Sequence, residues 1–252
     1  MQPLEGQRAV LTGAAGGIGS LLAARLRERG AVVTGVDRVA STHCDDNIVA
    51  DLADPAGLCE LCETLRQRPV DMLVNVAGVQ YFGPYERQEP DSLRLGFAVN
   101  LVAPAALIHA VLPQMRSRGS GHIVNVGSIL GSINYPHFAA YSSSKAGLRG
   151  LSDGLRRELA GLGIHVTHIA PRAVRTALNN QNVERFFHLS GMKADDPDKV
   201  ARLVADAIVR RRTLLEIGFR ERFLVRLNSL LPRLIDLGLS GQTAKARQLF
   251  PS

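Results

Sequence analysis

Short apolar runs, each followed by a stretch of helical periodicity, recur along the first 217 residues. Arg8 to Thr12 (RAVLT), Ala31 to Val36 (AVVTGV), Ile48 to Leu52 (IVADL), Asp71 to Val76 (DMLVNV), Gly121 to Val126 (GHIVNV), His165 to Ala170 (HVTHIA) and Thr213 to Ile217 (TLLEI) have the length and residue content of strands. Helical patterns fill the gaps. One is LLAARLRERG after the first strand; another runs from Pro55 to Arg66, with Asp54 as N-cap and Leu58, Leu61, Cys62 and Leu65 on one face. A long helix is predicted from Asp91 to Met115, bent by the internal Pro104, with Asn100 four residues before it. Further helices are predicted from Tyr141 to about Leu162 and, capped by Asp196 and Pro197, through Arg211. Strands apolar on both faces that alternate with helices predict one α/β domain on a parallel, doubly wound sheet, spanning residues 1–218. Ligands of such a sheet bind at the carboxyl ends of its strands.

Two segments break this pattern. From Arg172 to Ala194 the periodicity is poor and polar residues are frequent, which predicts an irregular lid or specificity loop. From Phe219 to Leu239 an apolar stripe (Phe223, Leu224, Leu227, Leu230, Leu231, Leu234, Leu237) runs beside Arg220, Arg222, Arg226 and Arg233 and is interrupted by Pro232. That basic amphipathic extension, residues 219–252, suits packing on its own domain or a partner subunit, the rim of an apolar pocket, or an anionic membrane surface.

Charge and cysteine content narrow the classes. The net charge of +7 is concentrated in the tail, where residues 210–252 carry nine basic and three acidic side chains. No aromatic interleaving or nucleic-acid module accompanies it, so nucleic-acid binding is not expected. Cys44, Cys59 and Cys62 are an odd set, and Cys59 and Cys62 lack the further ligands a structural zinc needs, so they read as core thiols and no metal is expected. Neither a signal-peptide pattern at the start nor a spanning run of about 20 apolar residues is read, which makes a cytoplasmic location the default.

The chemistry begins at the first strand end. Thr12 leads into Gly13, Gly17, Ile18 and Gly19 and then a helix, the strand, glycine turn and helix that cradle a pyrophosphate. Asp37 closes the second strand, where a carboxylate accepts hydrogen bonds from ribose hydroxyls and repels a 2′-phosphate; NAD is therefore expected over NADP. Arg38, beside it, would offset that repulsion if it faced the cofactor, and is read as a solvated surface residue. Tyr141 and Lys145 lie four residues apart, on one helical face, and a nearby ammonium would lower the phenol's pKa. Alone, such a spacing is more often a surface pair.

Taken in order, these residues closely resemble the classical short-chain dehydrogenase/reductase family from about Gly6 to Ile217. The resemblance implies a Rossmann fold with a seven-stranded parallel sheet, and a homodimer or homotetramer. Its cofactor loop is matched by Thr12, Gly13, Gly17 and Gly19, its adenine contact by Asp51 and Leu52, and its N-N-A-G element by Asn75, Val76, Ala77 and Gly78, with Val76 in place of Asn. Asn100, Ser128, Tyr141 and Lys145 match its catalytic tetrad. By analogy Tyr141 is the acid/base, Lys145 lowers its pKa and holds the nicotinamide ribose, Ser128 holds the substrate oxygen, and Asn100 positions a water that links Lys145 to solvent. Pro171 is followed by Arg172 where the family usually has Gly, and Val174 and Thr176 remain as carboxamide contacts. Arg172 would alter the loop or bring a cation near the cofactor phosphates. The implied reaction interconverts a secondary alcohol and a ketone, on a fairly apolar small molecule given the lid and tail, with oxidation favoured by the NAD preference. The alternative is a cofactor-binding regulatory or scaffold protein of the same fold.

Overall fold

Strand β1 (Arg8–Thr12) buries four consecutive side chains, as a strand covered on both faces must. The computed structural model describes residues 3–250. After β1 come α1 (Gly17–Arg27), β2 (Val32–Asp37), β3 (Asp46–Val49), α2 (Pro55–Gln67), β4 (Met72–Asn75), α3 (Pro90–Phe97) and α4 (Ala103–Arg118). They are followed by β5 (Gly121–Val126), α5 (Ala139–Glu158), β6 (Ile164–Ala170), α6 (Gln181–Ser190), α7 (Pro197–Val209), β7 (Leu214–Glu216), α8 (Phe219–Leu230) and α9 (Pro232–Arg247). The strands form one parallel sheet in the order β3-β2-β1-β4-β5-β6-β7. The order reverses between β1 and β4, which opens a crevice at the ends of those two strands.

Each face of the sheet has its own core. On one, Leu22, Leu26, Val200, Val204 and Ile208 of α1 and α7 cover Leu11, Val33 and Val124. On the other, Leu61, Leu65, Leu107 and Val111 of α2 and α4 cover Val10, Leu73 and Ile123. Local chemistry sets several helix ends. Asp54 and Asp196 accept hydrogen bonds from the first turns of α2 and α7, each followed by proline, and Gly119 ends α4 in the left-handed conformation.

Five sequence expectations change. The third strand lies earlier than Ile48–Leu52, at Asp46–Val49, so Asp51 sits beyond its end. The single helix of Asp91–Met115 is two helices joined by a π-helical turn, Ala98–Val102. Pro104 has no N–H for the carbonyl of Asn100, and the backbone widens just ahead of it. An 18-residue window within Pro90–Arg118 has mean hydropathy 2.0, enough by length and composition to cross a membrane, contrary to the expectation that no stretch approaches this. Its buried residues Ala103, Leu107, Val111 and Met115 belong to the core beneath the sheet. The segment 172–194 is not irregular throughout, because α6 spans Gln181–Ser190, with Asn180 as N-cap and Gly191 as left-handed C-cap. Lastly, Cys62 is buried as expected but Cys59 is exposed, since it falls on the outer face of α2.

Candidate active site

The glycine turn is held at the crevice by close packing. Gly13 has φ of 71°, and a Cβ there would stand 2.7 Å from the Ala77 nitrogen; at Gly19 it would stand 1.9 Å from the Gly13 oxygen. Only glycine lets β1, α1 and the turn after β4 meet this closely. Thr12 completes the junction: its buried hydroxyl accepts from the backbone N–H of Val76 at 3.1 Å and of Ala77 at 3.3 Å. Helix α1 has no side-chain cap, and Gly17 and Ile18 of its first turn line the cavity.

That cavity, about 1080 Å³, runs from the glycine turn to Tyr141. Asp37, Arg38, Asp51 and Leu52 line one end, and Ala77, Gly78, Ser128, Tyr141, Lys145, Pro171, Val174 and Thr176 line the remainder. The Asp37 carboxylate accepts from Ala15 N at 2.9 Å and Arg38 N at 2.7 Å, so it braces the glycine turn as well as facing the cavity. Arg38 is exposed, as the sequence reading has it.

Ser128 lies two residues past the end of β5, and its hydroxyl accepts from Leu130 N at 3.2 Å, which fixes the short turn Ile129–Gly131. Helix α5 carries Tyr141 and Lys145 one turn apart. Lys145 is 4% exposed and donates from Nζ to the Val126 carbonyl at 3.1 Å, with Nζ 6.0 Å from the centre of the Tyr141 ring. Burial pulls the Lys145 ammonium down to about 8. Tyr141 is shifted up, by burial, with the Ser128 hydroxyl acting in the opposite direction. The expected lowering of the phenol by Lys145 is therefore not found in the bare protein. The ammonium is bonded to a carbonyl and desolvation prevails.

Asn100 is fully buried, not on a solvated face. Its Oδ1 accepts from Val79 N at 2.9 Å, and its Nδ2 donates to Val79 O at 2.8 Å and to Ser144 Oγ at 3.0 Å. All of these bonds are to protein, so its side chain ties α5 to the turn after β4. A Cβ at Gly78 would stand 3.2 Å from Asn100 Oδ1 and 3.4 Å from Lys145 Nζ, so the ends of both side chains come up against this glycine.

A buried polar chain absent from the sequence reading lies beneath these groups. Asn75 donates to Asn125 at 2.8 Å, Asn125 to Ser152 at 2.9 Å, and Ser152 meets His168 Nδ1 at 3.1 Å. Polar residues inside otherwise apolar central strands were the signal that could have found Asn125 and His168. Phe187 and Met192 of the expected lid and Leu224 of the tail stripe line the cavity, joined by Tyr135, Phe138 and Gln242, which the sequence did not single out.

Arg172 points away from a phosphate role. Its guanidinium makes two 2.8 Å bonds to Asp195 and one of 3.2 Å to Glu221, which raises its pKa further. It thereby joins the start of the 172–194 segment to that segment's end and to α8. Since Asp195 is 7% exposed, Arg172→Gly is expected to lower unfolding free energy by about 2 kcal/mol, read by urea denaturation; a buried carboxylate loses its bidentate partner but keeps Lys199 at 3.8 Å, and Arg172 is itself partly exposed, so the loss falls below that of a fully buried pair. Among the described residues no cluster of His, Cys, Asp or Glu could hold a metal.

Comparison with known proteins agrees with this geometry. The family model described as short chain dehydrogenase matches residues 7–185. A 2,3-dihydroxy-2,3-dihydro-p-cumate dehydrogenase of Pseudomonas putida is 34% identical over 225 residues, 80% of this chain and 87% of the relative. Among solved structures, a 3-ketoacyl-(acyl-carrier-protein) reductase from Brucella melitensis complexed with NADH superposes with TM-score 0.76 and 26% identity, covering 86% of this chain and 99% of that one. A short-chain dehydrogenase from Sphingobium yanoikuyae in complex with NADPH gives TM-score 0.76 and 25% identity, covering 91% and 95%.

Proposed function

Because the chain belongs to the short-chain dehydrogenase/reductase family, whose members are oxidoreductases of Rossmann fold, we propose that it interconverts a secondary alcohol and a ketone on a fairly apolar small molecule. The observation that carries this reading is the single cavity with a glycine cradle at one end and Ser128, Tyr141 and Lys145 at the other. The cradle fits a dinucleotide, since a Cβ at Gly13 or Gly19 would collide with backbone and the first turn of α1 faces the same space.

Gly13, Gly17, Ile18 and Gly19 would hold the pyrophosphate, Asp37 the adenosine ribose, and Asp51 and Leu52 the adenine end. Ala77 and Gly78 line the crevice, whereas Asn75, expected to touch the cofactor, is buried behind them and bonded to Asn125; Pro171, Val174 and Thr176 would meet the carboxamide. When bound, the nicotinamide supplies the hydride acceptor or donor. Tyr141 takes or gives the proton at the substrate oxygen, and Ser128 donates a hydrogen bond to that oxygen as charge develops. Lys145, at the end of the cavity with Tyr141, would hold the nicotinamide ribose, and its charge opposes the upward shift of the phenol once it is drawn from Val126. Asn100 keeps α5 in register with the crevice. The cytoplasm is the proposed location and a homodimer or homotetramer the proposed assembly.

A panel of secondary alcohols and ketones, run with NAD and NADP, tests the reading. Turnover on apolar members is expected; cofactor binding with no turnover on any member would point instead to a cofactor-binding scaffold protein. The same kinetics test the cofactor. NAD is expected to be preferred, and Asp37→Ala to lower kcat/KM with NAD by about ten-fold while raising that with NADP, as a carboxylate at this position repels a 2′-phosphate. A wild-type preference for NADP would overturn the assignment of Asp37.

A further inference from the structure

Helices α8 and α9 are packed on one side and bare on the other. Inward, Val225 and Ile235 join Ile129, Ile133 and Ala170 in a small core, Asn228 donates to the Ser132 carbonyl at 3.0 Å, and Ala246 packs with Phe82, Phe138 and Phe186. Outward, Phe219 is 81% exposed, Phe223 63%, Leu230 78%, Leu231 53%, Leu234 51% and Leu237 72%. Phe219, Phe223 and Leu230 share one face of α8, and Leu230, Leu231, Leu234 and Leu237 continue around the corner into α9. Isolated exposed leucines are ordinary, whereas this concentration within 19 residues marks a contact surface.

Charge identifies what the surface contacts. Arg220, Arg222, Arg226 and Arg233 lie on the same two helices, and the Arg222 guanidinium sits 5.7 Å from the Phe219 ring centre. Of the acidic residues there, Glu221 is already bonded to Arg172, leaving Asp236. A second copy related by a twofold axis would bring the same arginine-rich surface against itself, adding like charge across the contact. An anionic bilayer presents the opposite charge to the arginines and an acyl boundary to the phenylalanines and leucines. The same hairpin also walls the cavity, through Arg220, Glu221, Leu224 and Gln242.

We propose that the α8–α9 hairpin is a peripheral docking surface for an anionic bilayer and sets the wall of the substrate cavity against the lipid. Docking stands independently of turnover; delivery of an apolar substrate from the bilayer rests on the proposed reaction. The test is co-sedimentation of the full chain with vesicles of phosphatidylcholine alone or with about one-third phosphatidylglycerol, without substrate. The wild type is expected to partition at least roughly ten-fold better onto the anionic vesicles and to leave them at high salt. Arg222→Gln/Arg226→Gln/Arg233→Gln is expected to lower that partition about a hundred-fold, from roughly five-fold per surface arginine. Phe223→Ser/Leu234→Ser/Leu237→Ser is expected to lower it at least roughly ten-fold. All three substituted positions in each variant lie away from the cavity, and unchanged thermal midpoints would show both variants folded. Wild type left in the supernatant with anionic vesicles, or variants that pellet like it, would overturn the proposal. So would sedimentation velocity showing that the apolar variant loses self-association while lipid partition is unchanged, which assigns the face to a second copy. Since sedimentation reads no catalysis, failure of the alcohol and ketone panel leaves this result standing, and the reverse holds too.

Discussion

Tyr141→Phe is expected to lower kcat for both alcohol oxidation and ketone reduction by roughly a thousand-fold, the scale of a lost general acid/base. The change removes one oxygen and keeps the ring, which packs edge-on to Phe138 with centroids 6.4 Å apart, so the thermal midpoint should stay within a degree or so. Cofactor affinity, measured by fluorescence titration, should change little, because the glycine cradle is untouched. The direction of pH dependence follows from the raised phenol. Oxidation needs the deprotonated tyrosine and should speed up as pH rises toward its pKa, whereas reduction needs the protonated form and should slow. Retention of most activity in Tyr141→Phe would sink the acid/base role.

Acid is expected to unfold the protein through two buried histidines. His122, 5% exposed and bonded to Thr167 at 2.8 Å, and His168, 3% exposed and bonded to Ser152, are each pulled down to about 3, chiefly by burial. An unfolded histidine titrates near ~6.5. Below that value the unfolded chain binds protons that the folded chain refuses, so stability is intact above about pH 6.5 and is lost as pH falls toward 3. With both sites counted, the loss between about pH 7 and about pH 4.5 is on the order of 5 kcal/mol. Urea denaturation at the two pH values measures it. In His122→Asn/His168→Asn the same interval should show a much smaller loss; an unchanged loss would place the acid sensitivity elsewhere.

The parts of the site that were legible in the sequence are those where a residue type has few structural uses. Gly13 and Gly19 sit where any Cβ meets backbone, and Tyr141 with Lys145 reads as a pair because a helix repeats every turn whatever surrounds it. The parallel, doubly wound sheet followed from apolar runs that no half-exposed strand would carry. What was not legible depends on burial and on distant partners. The upward shift of Tyr141 and the Lys145 bond to Val126 arise from the enclosure of α5 against β5, which local spacing does not encode. Pro104 announced a bend at this turn, but the burial of Asn100 and its bonds to Val79 and Ser144 depend likewise on segments distant in the chain. Helix α6 was legible in principle, because Asn180 and Gly191 are cap residues and Val183, Phe186 and Phe187 fall at helical spacing. The polar run Asn179-Asn180-Gln181-Asn182 masked that signal, and its anchors, Phe82 and Phe138, come from segments far away in the chain. Arg172 gave a charge without a direction until Asp195 and Glu221 were placed beside it.

The most direct measurement of the central claim follows a label. The wild-type protein would be incubated with NAD and apolar secondary alcohols carrying deuterium on the carbinol carbon, and the products read by mass spectrometry. The account predicts ketone and deuterium-labelled reduced cofactor in equal amounts, with both lost in Tyr141→Phe. Saturable binding of NAD with no label transferred from any alcohol in the panel would contradict it.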